Sequence, residues 1–92
     1  MADIVWTQTA IEDIKSIGEY IEKGSFYYSK IVVQKIYNAV KRLESFPMSG
    51  RKIPEFDNEN LREVLSENYR IFYFLEANQV SILTIVHNKQ SV

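Results

Sequence analysis

The apolar residues change period partway along the chain, and that change limits the fold more than any other feature. Up to Phe46 they recur at helical spacing; after Asn60 they recur at strand spacing. A chain built this way needs a helical layer made by its first half and a sheet made by its second. Ninety-two residues leave room for one core, so a single domain over residues 1–92 is expected.

Ile11, Ile14, Ile17 and Ile21 form one stripe, and Val33, Ile36, Val40 and Leu43 form another. Thr7 and Thr9 are both candidate N-caps for the first helix, and Thr9-Ala10-Ile11-Glu12 also fits a capping box. Gly24 is read as the stop, through a positive φ, and Ser25 as the cap of a second helix running from about Tyr27 to Ser45. A link this short predicts an antiparallel helical hairpin. Phe46-Pro47 ends it, because proline disfavours helical geometry in the residue before it. Met48 to Asn60 reads as a polar loop.

Ile4 and Trp6 share one face of a short opening strand. Leu61 to Leu65, Tyr69 to Leu75 and Val80 to His87 are rich in β-branched and aromatic residues and make three more. The expected fold is α+β, in the order β-α-α-β-β-β, with the hairpin on one face of a four-stranded, mostly antiparallel sheet. A hollow on the far face would gather Arg51, Arg62 and Arg70.

Composition narrows function. The chain has no cysteine and one histidine, so thiolate chemistry and multi-histidine metal centres are excluded, and no metal or cofactor is expected. No apolar run reaches the ~18–20 residues of a membrane span. Asp3, Glu12, Asp13 and Glu19 argue against a signal peptide, and the cytoplasm is the expected setting. Eleven basic against twelve acidic side chains give a net charge of −1, without the excess of Lys and Arg that phosphate-gripping proteins usually gather.

Several positions, taken in order, carry a resemblance. They are Trp6, Ala10, Asp13-Ile14, Tyr20-Ile21, Leu43, Phe46-Pro47 and Gly50-Arg51, followed by Arg62-Glu63, Tyr69-Arg70-Ile71, Tyr73 and Ile85-Val86-His87. Together they resemble the RelE/ParE superfamily of toxins from type II toxin–antitoxin modules, over essentially the whole chain. The resemblance implies a cognate antitoxin partner and a homodimer or a heterotetramer with that antitoxin. It also implies one of two activities. RelE-like members cut messenger RNA on the ribosome without a metal; ParE-like members, associated with plasmid stabilisation, poison DNA gyrase.

Metal-free RNA cleavage needs a base, cations around the phosphate and an acid for the leaving oxygen. Arg70 matches the phosphate-stabilising arginine of the nuclease members, and His87 or Lys89 would have to assist proton transfer. The tail from His87 to Val92 has no tyrosine, and a lysine is a poor base at neutral pH unless its surroundings depress it. The histidine closing the last strand, the paired helices and the low charge favour the ParE-like branch, a binding toxin inhibiting growth through DNA gyrase. The alternatives are a ribosome-dependent mRNA endonuclease and an inactive toxin-derived binding module. Arg51, Arg62 and Arg70 are candidate contacts for target or antitoxin, although the family pattern favours loop anchoring over binding for Arg51 and Glu63 is a ready salt-bridge partner for Arg70. Phe26, Tyr27 and Tyr28 join the candidates, since three adjacent aromatics on a helix cannot all face inward.

Overall fold

A computed structural model describes residues 1–89. The elements are β1 (Asp3–Trp6), α1 (Gln8–Glu22), α2 (Phe26–Arg42), β2 (Arg51–Lys52), β3 (Leu61–Ser66), β4 (Tyr69–Glu76) and β5 (Gln79–His87). The architecture is the α+β arrangement read from the sequence, with one strand more. The sheet has five strands in the order β1-β5-β4-β3-β2, antiparallel except for the β1–β5 pair. The added strand is β2, two residues with both side chains exposed. It has no apolar alternation by which a sequence reading could find it.

Thr7, not Thr9, caps α1. Its Oγ1 accepts from the Ala10 N–H at 3.1 Å and donates to the Ile82 carbonyl at 2.7 Å, so one hydroxyl starts the helix and ties it to β5. Asp13 makes the second tie. Its Oδ2 accepts from the Ile85 N–H at 3.0 Å and the Thr84 hydroxyl at 2.5 Å, along the part of β5 that β1 does not cover. Ser25 caps α2, its hydroxyl accepting from the Tyr28 N–H at 3.0 Å. Gly24 does not stop α1 through a left-handed conformation, since no described glycine has positive φ. The turn closes instead with the Gly24 and Ser25 N–H groups both on the Ile21 carbonyl. α2 ends at Arg42, three residues before the expected Ser45, and a tight i→i+3 turn over Leu43 to Ser45 leads to Pro47.

The core lies between the hairpin and one face of the sheet. Ala10, Ile14, Val32, Ile36, Val40 and Leu43 meet Ile71, Tyr73, Val80, Ile82 and Ile85. The helical stripes hold at Ile14, Ile36, Val40 and Leu43, and each departs from the isoleucine and valine spacing at its first position. Ala10 is buried while Ile11 is exposed, and Val32 is buried while Val33 is half-buried. The small Ala10 lets α1 lie close to the sheet, and the helices approach each other at Gly18, where a Cβ would meet Val33 Cγ2 at 3.2 Å. Leu83 bulges between the Phe72–Thr84 and Tyr73–Ile82 pairs.

Candidate functional site

Strand alternation sends Ile71 and Tyr73 of β4 into the core, so Arg70 and Phe72 point to the opposite face. The register then sets a row across that face, Arg51 opposite Glu63 and Glu63 opposite Phe72, with Leu65 opposite Arg70 one step along. Glu63, whose side chain has no exposed surface, is the hub. Its Oε2 accepts from Arg51 Nε at 2.7 Å and its Oε1 from Arg70 Nε at 2.6 Å. The pairing of Glu63 with Arg70 across adjacent strands is the salt bridge the sequence suggested.

Arg70 is held further by the segment that links β2 to β3. Its two terminal nitrogens donate to the two oxygens of Glu55, at 3.1 and 3.0 Å, and its guanidinium lies over the Phe72 ring at 4.7 Å. One buried cation, Arg70, and one exposed cation, Arg51, therefore face two carboxylates, and the buried Glu63 is paired on both oxygens, which is the condition for placing a charge in a protein interior. The hydrogen bond from Arg70 holds the Glu55 carboxyl below the usual range, and the hydrogen bonds to Glu55 and Glu63 raise Arg70. Nothing in the sequence marked Glu55, which lies in a polar stretch with no period.

Arg62 does not join this cluster. It is opposite Tyr73 on the helix-facing side, and its NH1 donates to the Gly50 carbonyl at 2.8 Å. Its buried Nε has no hydrogen-bond partner. Beside it the Tyr73 hydroxyl donates to the Pro47 carbonyl at 2.7 Å and accepts from the Gly50 N–H at 3.0 Å. Burial pushes the Tyr73 phenol up. A Cβ on Gly50 would stand 2.5 Å from Tyr73 Oη and 2.7 Å from the Glu63 carbonyl, so only glycine fits. Phe46-Pro47 and Gly50-Arg51 thus belong to a clasp that delivers Arg51 to Glu63.

His87 and Lys89 also lie away from Arg70. His87 is opposite Tyr69 and packs against its ring edge-on at 5.4 Å, with its Nδ1 accepting from the Lys89 N–H at 3.2 Å. Both line a cleft of about 520 Å³ against α1, with Asp13 and Tyr20. Of the tail residues named above, Gln90 to Val92 lie outside the described residues. Phe26, Tyr27 and Tyr28 are all exposed at the tip of the hairpin. Phe26 also lines a groove of about 600 Å³ on the outer face of the two helices, beneath Lys30 at 4.8 Å from its ring. No cluster of metal-binding side chains is found among the described residues.

A family model described as the ParE toxin of type II toxin–antitoxin system, parDE, matches residues 4–92. The chain belongs to the ParE toxin family. This ParE-family toxin is 34% identical over 87 residues to "Putative toxin Y4kP" of Sinorhizobium fredii (strain NBRC 101917 / NGR234), a match spanning 95% of this chain and 88% of that protein. Its fold is similar to a solved structure titled "Chromosomal ParDE TA system from P. aeruginosa", with a TM-score of 0.77 and 22% identity over 95% of this chain and 96% of that one. At that identity the likeness speaks for the fold. As a ParE-type toxin, the chain falls in the branch of the superfamily that its low charge and the histidine ending its last strand favoured.

Proposed function

We propose that this ParE-type toxin inhibits growth in the cytoplasm by binding DNA gyrase, and that a cognate antitoxin neutralises it by laying a segment along the sheet and helical hairpin. One observation carries the choice of a binding toxin over a nuclease. The groups that metal-free RNA cleavage would need do not converge: Arg70 is on one face of the sheet, while His87 and Lys89 line a cleft on the other. Arg70 is in addition buried and engaged by two carboxylates, which take three of its five N–H donors. A cation that stabilises a developing phosphate charge must reach it at ~3 Å together with the base and acid.

The contacts for target and antitoxin would come from the exposed aromatics Phe26, Tyr27 and Tyr28 and from the sheet face that carries Arg51 and Arg70, rather than from Arg62, which lies on the helix-facing side. Induction without antitoxin, followed by primer extension on translated messages and by assay of chromosomal breaks, tests the proposal. Growth arrest with DNA breaks and intact messages is the expected result. Discrete cleavages within ribosome-bound codons would establish the nuclease instead, and unimpaired growth would establish an inactive binding module.

A further inference from the structure

The Arg70 guanidinium is oriented like a receptor. Its inner edge is fixed, with Nε on the buried Glu63 and the plane stacked over Phe72. Glu63 is itself fixed from the other side by Arg51. What remains is the outer fork, two parallel N–H donors in the geometry that binds a carboxylate bidentately. Glu55 fills this fork at 3.0 and 3.1 Å, yet Glu55 comes from the irregular segment between β2 and β3 and keeps 42% of its side-chain surface exposed. Leu65, the register partner of Arg70, is 54% exposed, and Phe56, next to Glu55, is 45% exposed. Exposed apolar groups beside a desolvated charge are features of a protein interface.

We propose that the Arg70 fork is a binding site for an aspartate or glutamate side chain on an extended segment of a protein partner, and that Glu55 is a tethered carboxylate occupying the site until that segment arrives. Charge selects a carboxylate over a phosphate. With Glu55 lifted away, Arg51 and Arg70 against Glu63 leave one net positive charge, which a monoanion neutralises and a phosphate dianion overshoots. The tether sets the strength of the competition. A short linker holds its ligand at an effective concentration on the order of millimolar, so a free carboxylate displaces Glu55 poorly, whereas a segment docked beside Leu65 and Phe56 brings a comparable local concentration of its own. The site thereby answers only to a partner that also covers the apolar rim, a form of specificity by masking.

This deepens the neutralisation reading above and rests on it only in assuming a protein partner. The test uses an isolated probe, so its outcome is separate from toxicity and from gyrase. The Nε–H of Arg70, buried on Glu63, is the reporter in ¹H–¹⁵N correlation spectra. Blocked glutamate (N-acetyl-glutamate N-methylamide) is titrated into the wild-type chain and into Glu55→Gln and Glu55→Ala, with blocked glutamine and inorganic phosphate in parallel. The expected result is a saturable shift of the Arg70 signal in both variants, at a concentration roughly tenfold below that needed for wild type, with no shift from blocked glutamine. Equal midpoints in wild type and variants, or no saturable shift in a variant whose spectrum shows it folded, would overturn the proposal. Tighter binding of phosphate than of blocked glutamate in the variants would overturn the carboxylate assignment.

Discussion

Gly50 and Tyr73 show how a single contact decides the course of the chain after the helices. Any side chain at position 50 must enter the Tyr73 ring and the β3 backbone, both within 2.7 Å of the Cβ position. Gly50→Ala is expected to destabilise by about 1–3 kcal/mol or more, and Tyr73→Phe by about 1–3 kcal/mol because it strands the Gly50 N–H and the Pro47 carbonyl. Denaturant unfolding of the two single variants and the double variant checks this. The double should fall short of the sum of the singles, since the phenol and the added methyl compete for one space. Glu55 makes a pH-dependent contribution. Its carboxyl lies below the usual range because of Arg70, so its stabilisation is present above the ordinary glutamate pKa of about 4.3 and disappears as pH falls through the lower folded value. Wild type should therefore be more stable than Glu55→Gln at neutral pH, and the two should converge in unfolding experiments once the pH falls below that lowered folded value. At this scale the sequence was partly legible. Glu63 stood out as the answer to an arginine inside an apolar strand, whereas Glu55 and Tyr73 act through folding contacts 15 and 23 residues away in the chain that no local pattern encodes.

Among the elements, the two β-hairpin turns carry visible strain. Glu67 and Ala77 have φ of 54° and 55°, a region that non-glycine residues enter at a cost. Ala77→Gly should relieve it. Against the extra entropy glycine brings to the unfolded chain, a gain of about 0.5–1 kcal/mol is expected in thermal or denaturant unfolding. Helices and long strands were legible because their periods are set by burial on one face, as Ile14, Ile36 and Ile71 illustrate. The errors have definite causes. Ile11 fits the helical period but loses its place to Ala10, since close approach to the sheet favours the smaller residue. β2 was missed because Arg51 and Lys52 pair with β3 through the Gly50 clasp and bury no apolar side chain.

At the level of the molecule, the fold separates the charges a nuclease would need to bring together. The sheet stands between Arg70 and the cleft of His87 and Lys89, and the exposed aromatics gather at the free end of the hairpin. The three arginines expected in one hollow do not gather as a group. Arg51 and Arg70 meet on Glu63, and Arg62 fell on the other face because neighbouring strand residues alternate. The direct test is a supercoiling reaction with purified DNA gyrase and relaxed plasmid, run beside a reconstituted translation reaction on a defined message, with the purified toxin added to each. The account predicts that the toxin blocks supercoiling and accumulates linear plasmid while leaving the message intact. Full supercoiling in its presence, together with cleavage of the translated message, would contradict it.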